Sequence, residues 1–143
     1  MSITVPCALR YRDPVGALLL SVCQQLEHNG AETGLGFQVV SAFNEAFNNL
    51  TQYAYEPPTR GVVDVELTIA DSELELTLLD SGKTFEFETV TDPDLNVLPE
   101  TGLGIFIIRS FMTDVSYEPG DEGRKNRLRM VRRLESADAA RND

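Results

Sequence analysis

Residues 62–80, VVDVELTIADSELELTLLD, constrain the fold more than any other stretch. Two runs alternate apolar and polar side chains around the turn signal Ala70-Asp71-Ser72, the pattern of an antiparallel hairpin. Alternation with period two puts the apolar residues on one side of the pleat, and that side must be covered. The chain supplies its cover on both flanks of the hairpin. Asp13-Pro14 reads as a helix start, with Asp as cap and Pro in the first turn, and Asn29-Gly30 as its end near residue 28. A second helix spans about 33–54 and stops at Pro57-Pro58, and GLGIFIIRSFM opens a third at about 102–112.

Three further strands complete the order. Residues 2–10 open the chain as a strand, with Pro6 pointing to an edge position. TDVSYEP and KNRLRMVRRL form a second hairpin through the turn Gly120-Asp121-Glu122-Gly123. Residues 81–101 are rich in Gly, Pro, Asp and Thr without periodicity, and a loop of that length in a compact domain is usually functional. The sum is an α+β fold: a two-layer α/β sandwich, its mixed, mostly antiparallel sheet covered on one face by helices. The expected domain is 1–135, with 136–143 as a polar tail.

Charge and cysteine content narrow the function classes. A net charge of −11 over 143 residues excludes the basic footprint of a nucleic-acid binder and disfavours docking on anionic lipid. Cys7 and Cys23 have no metal-ligand spacing and suggest a reducing compartment. The longest apolar run, Ala17–Val22, is far too short to span a bilayer, and the N-terminus lacks a secretion signal. A cytoplasmic location is therefore expected. His28 is the single histidine, which leaves little for a Ser-His-Asp triad or a histidine metal site. It belongs at the C-terminal end of the first helix, beside the dipole or in water.

The second helix holds the chemistry. At about 100° per residue, Phe37, Val40, Phe43, Phe47 and Leu50 share an arc that should face the sheet. Glu45, Asn49 and Tyr53, four apart, form a ridge on its flank. Such a ridge is either a solvated helix side or a half-desolvated site where carboxylate basicity is tuned. Three later features bear on that choice. Asp80-Ser81-Gly82 closes a strand, where a carboxylate can accept from an exocyclic amine and glycine lets a flat ring approach the backbone. A plain turn would account for it equally. Thr101-Gly102-Leu103-Gly104 opens a helix whose unpaired amides suit phosphate. The ordered set is more specific than its parts: Glu-x-x-x-Asn on a helix, Asp-x-Gly after a strand, a long loop, then Gly-x-Gly opening a helix.

This set resembles the Bergerat-fold (GHKL) ATPases shared by gyrase, heat-shock chaperone, histidine-kinase and mismatch-repair ATPases. Within them it is most similar to the small anti-sigma factor serine/threonine kinases of bacteria. FNEAFNNLTQYAY resembles their N-box helix and LLDSGKTF their Asp-x-Gly box. LPETGLGIFIIRSFMTDVSYE resembles the second glycine box with its helix and strand, and NRLRMVRRL the last strand. The resemblance implies that Glu45 is the general base and that Asn49 ligates Mg²⁺, with Asn48 structural or an outer neighbour. It implies that Asp80 takes the adenine amine beside Gly82. Thr101, Gly102, Leu103 and Gly104 would close on the phosphates of ATP, under a lid of about residues 83–101.

The implied activity is ATP-dependent phosphorylation of a STAS-type anti-sigma factor antagonist, with a sigma factor as second partner and a role in transcription regulation. Homodimers are common in the branch and expected here, with no nucleic-acid or membrane partner. A non-catalytic, ATP-dependent protein-binding module of the same fold is the alternative, and retention of Glu45 favours the kinase. The sequence departs from the family at four places. Tyr53 stands where many relatives have histidine, and Lys83-Thr84 where a proline often precedes the phenylalanine. Asn126 stands near a familial threonine, and Arg109 serves either a partner or an acidic neighbour.

Overall fold

The computed structural model describes residues 1–54, 61–84 and 103–135, the side chains of Tyr53 and Leu103 excepted. The expected lid beyond Thr84, Thr101, Gly102 and the expected tail 136–143 lie outside the described residues. Five strands, β1 (Ser2–Pro6), β2 (Val62–Ala70), β3 (Glu73–Asp80), β4 (Asp114–Glu118) and β5 (Asn126–Arg133), form one sheet in the order β1-β2-β3-β5-β4. Among the described residues three α-helices accompany them: α1 (Arg12–His28), α2 (Leu35–Asn49) and α3 (Leu103–Phe111). The chain is thus α+β as expected. The sheet is simpler than expected, because all four pairings are antiparallel rather than mixed.

The β2–β3 hairpin turns at Asp71-Ser72, between the paired residues Ala70 and Glu73. Asp71 takes the left-handed turn conformation, φ 55°, which a short polar side chain tolerates. Val63, Val65 and Leu67 of β2 join Leu74, Leu76 and Leu78 of β3 on the covered side. Burying each such side chain contributes roughly 1.5–3 kcal/mol, and together they define the core's floor. Val15, Leu19 and Cys23 of α1, spaced by four, and Ile105 and Ile108 of α3 pack over it.

The opposite face carries charge in place of cover. Arg129 Nε donates to Glu75 Oε1 at 2.8 Å across β5 and β3. Lys125 pairs with Asp64, which also accepts from the Thr4 hydroxyl at 2.5 Å. Those two contacts hold the Asp64 carboxyl below its ordinary value, the Lys125 bond contributing most. Among the described residues no helix is long and apolar enough to cross a membrane.

Several local expectations are corrected. β1 ends at Pro6, and residues Leu9–Tyr11 form a 3-10 turn in place of further strand. Tyr11, not Asp13, is the cap position of α1, and no side chain caps it. The buried arc of α2 is Leu35, Val39, Ala42, Phe43, Ala46 and Phe47. Phe37 is 68% exposed, and its ring meets the edge of Phe111 at 5.9 Å. The arc rotates toward small residues because α1 packs closely over α2: a Cβ on Gly36 would lie 2.8 Å from Leu20 Cδ1. Finally, α2 stops at Asn49, and Leu50–Ala54 continues as a wider π turn.

Candidate functional site

The ridge expected on α2 stands at the border of the core. Glu45 and Asn49 are half-buried, between buried neighbours Ala46 and Phe47 and the solvent side of the helix. The start of α3 crosses directly above Glu45. A Cβ on Gly104 would lie 2.8 Å from Glu45 Oε2, so glycine leaves the carboxylate its position. One member of the N-terminal motif and one of the second glycine motif are therefore neighbours, although 59 positions separate them. Asn48 turns away from this ridge, and its Oδ1 accepts from Arg12 Nη1 at 3.0 Å. It joins α2 to the start of α1. The side chain of Tyr53 lies outside the described residues.

Asp80 ends β3 with 3% of its surface exposed. Its Oδ1 accepts from the Gly82 amide at 2.9 Å and from Asn126 Nδ2 at 3.1 Å. Burial pushes the Asp80 pKa up, while the bonds from Asn126 and Gly82 pull against that rise. The backbone itself requires glycine at 82. A Cβ there would lie 2.3 Å from the carbonyl oxygen of Ala54, at the end of the π turn. That carbonyl also accepts from the Lys83 amide at 2.6 Å. The turn after α2 thereby anchors the chain as it leaves β3, and π turns recur at functional sites.

A cavity of about 530 Å³ opens beside this cluster, walled by Ser81, Gly82, Thr84, Gly120, Arg124 and Asn126 among others. Glu45, Asn49 and Gly104 do not line it, so it adjoins the Asp80 end of the site only. Sequence reasoning singled out Asn126 without a role and overlooked Ala54, whose contribution is a main-chain atom that no motif reports. The thiols are inert near neutral pH. Burial and the Asp80 charge push Cys7 up to about 11, and burial and Glu27 push Cys23 up to about 11.

A family model described as the histidine kinase-like ATPase domain matches residues 12–132. A serine-protein kinase RsbW from Staphylococcus aureus is 30% identical over 90 residues, which cover 55% of this chain and 57% of that protein. The same-named protein of Staphylococcus aureus strain RF122 is 29% identical over 84 residues, covering 52% of this chain and 53% of its own. The chain spans little more than half the length of these curated relatives. Among solved structures, the RsbU and RsbW domains of a Mycobacterium tuberculosis protein align with TM-score 0.60 and 18% identity. That alignment covers 94% of this chain and 32% of that one. The histidine kinase domain of a blue-light activated kinase from Erythrobacter litoralis aligns with TM-score 0.51 and 17% identity, covering 70% of this chain and 45% of its own. These structural likenesses agree in the fold.

Proposed function

Because the chain belongs to the histidine kinase-like ATPase domain family, we propose that it is an ATP-dependent protein serine/threonine kinase. Its substrate on this reading is a small STAS-type anti-sigma factor antagonist, and its second partner a sigma factor, so that it regulates transcription from the cytoplasm as a homodimer. Relatives named serine-protein kinase RsbW support the reaction type. The observation that carries the reading is Glu45, a half-buried carboxylate held open by Gly104 at the mouth of α3.

On this reading Asp80 receives the exocyclic amine of adenine, and the amides of Gly102 and Gly104 meet the phosphates with Thr101 and Leu103 beside them. Glu45 takes the proton of the substrate hydroxyl as its oxygen bonds to the γ-phosphorus, and the bond to the bridging oxygen breaks to release ADP. Phosphoryl transfer of this kind depends on positioning and charge neutralisation more than on covalent machinery. Asn49, one turn beyond Glu45, would hold Mg²⁺, which supplies charge neutralisation at the phosphates. Among the described residues no three His, Cys, Asp or Glu side chains gather as a metal-binding group. A single protein ligand from Asn49 suits an ion held largely by phosphate oxygens and water.

The test begins with capture of partners in the presence and absence of Mg-ATP, followed by transfer of labelled γ-phosphate to whatever is captured. Glu45→Ala should bind ATP normally and lose transfer by roughly 100-fold or more. Full transfer by that variant removes Glu45 from the role. ATP-dependent capture with no transfer by the unaltered protein would make the chain a binding module instead.

A further inference from the structure

Asn126 opens β5 directly opposite Asp80 of β3, and both side chains point into the protein, 2% and 3% exposed. A buried primary amide offers two N–H donors and a carbonyl acceptor. Here each finds a protein partner. Nδ2 donates to Asp80 Oδ1 at 3.1 Å and to the Gly82 carbonyl at 2.9 Å, and Oδ1 accepts from the Gly120 amide at 2.7 Å. Gly120 belongs to the β4–β5 turn, and a Cβ there would lie 2.7 Å from the Asn126 nitrogen and 2.3 Å from the Arg124 carbonyl oxygen. The turn is thus seated on Asn126, and Asn126 on Asp80.

We infer that Asn126 is the positioning residue for Asp80, fixing the carboxylate so that Oδ2 faces the nucleobase and locking it to the β4–β5 turn through Gly120. The inference rests on the assignment of Asp80 to adenine. Both hydrogen bonds that Asp80 receives fall on Oδ1, which leaves Oδ2 to serve an incoming amine. With its donors spent on Asp80 and Gly82, Asn126 acts through the carboxylate and gives no N–H to the base. A threonine at this place has a single hydroxyl donor and could not hold Asp80 and the Gly82 carbonyl together. The bond to Asp80 also steadies its charged form against burial. Among the described residues Cys7 feels the Asp80 charge, and burial and that charge push its thiol up to about 11.

The test reads Asp80 first and nucleotide second. Carboxyl ¹³C NMR should show Asp80 titrating at higher pH in Asn126→Ala than in the unaltered protein, by about one unit. An unchanged titration overturns the inference. Mg-ATP affinity at pH 7 should fall by roughly 10-fold in Asn126→Ala, and the acid side of its profile should move up with the Asp80 titration. A loss equal at every pH marks a merely structural residue and also overturns it. Asn126→Asp places a second carboxylate beside Asp80, so its affinity relative to the unaltered protein should fall as pH rises.

Asp80→Asn separates the two readings. ATP binding unaffected by Asp80→Asn removes adenine from Asp80, while the NMR titration still decides whether Asn126 governs the carboxylate. Should the Asn126 variants fail to fold, side-chain amide exchange in the unaltered protein remains. Slow Nδ2 exchange with and without ADP is expected, and fast exchange in either state overturns the inference.

Discussion

Burial of Asp80, whose carboxylate accepts only neutral amide donors among the described residues, means that its ionisation works against the fold. Its native pKa is raised, so its contribution to stability is fully present below the ordinary value of 3.8. That contribution is lost as pH rises through the raised native value. Asp80→Asn keeps an oxygen to accept from Gly82 and Asn126 while removing the charge. The variant should melt at or above the unaltered protein's temperature at pH 7 and lose the part of the pH dependence that begins near 3.8. It should also bind ATP roughly 100-fold more weakly. A lower melting temperature, read by calorimetry, would mean that the hydrogen-bonded clamp outweighs the buried charge.

Gly104 separates fold from function in the opposite sense. The Cβ of Gly104→Ala would press on Glu45 Oε2, the movable end of a side chain, and alanine is favoured over glycine within a helix by up to about 1 kcal/mol. Melting should be unchanged or slightly raised, while transfer falls by roughly 100-fold as the carboxylate is displaced. Undiminished transfer in the labelled-phosphate assay would sever Gly104 from Glu45.

The elements meet at Arg132 of β5, whose side chain is 13% exposed. Its guanidinium pairs with Glu32 before α2, donates to Gln38 of α2 and donates to the Phe111 carbonyl of α3 at 2.6 Å. Arg132→Met keeps the stem but strands a carboxylate and a helix-terminal carbonyl. The expected cost is about 2–4 kcal/mol, or a melting temperature lower by roughly 5–15 °C. A drop within about 2 °C would reduce the hub to surface pairing. This junction also marks how far the sequence was legible. Element order and the β2–β3 hairpin follow from periodicity, because alternation and helical spacing are properties of one segment. The buried arc of α2 does not, because α1 and α3 close on it from two sides. Spacing alone places Phe37 in the core, yet its ring meets Phe111 edge-on outside it.

At the scale of the molecule, the motifs declare residue types, and the fold decides which of them meet. Glu45 and Gly104 belong to separate motifs and are neighbours in the structure, whereas Asp80, Asn126 and Gly120 converge through strand register. Register depends on pairing between distant segments, which one sequence does not display. The same global view settles how charge acts on stability. The open face of the sheet is laced by Arg129–Glu75 and Lys125–Asp64, pairs of a kind worth about 0–1 kcal/mol each and weakened by salt. Yet if every Lys and Arg were paired, 11 carboxylates would still remain. Their mutual repulsion opposes compaction and is screened beyond about 10 Å at ~0.1 M salt. Excess repulsion should outweigh the ladder, so raising NaCl from ~20 to ~150 mM should raise the melting temperature by a few degrees. A fall over the same range would show that the open-face ion pairs, not the net charge, dominate the electrostatics of this fold.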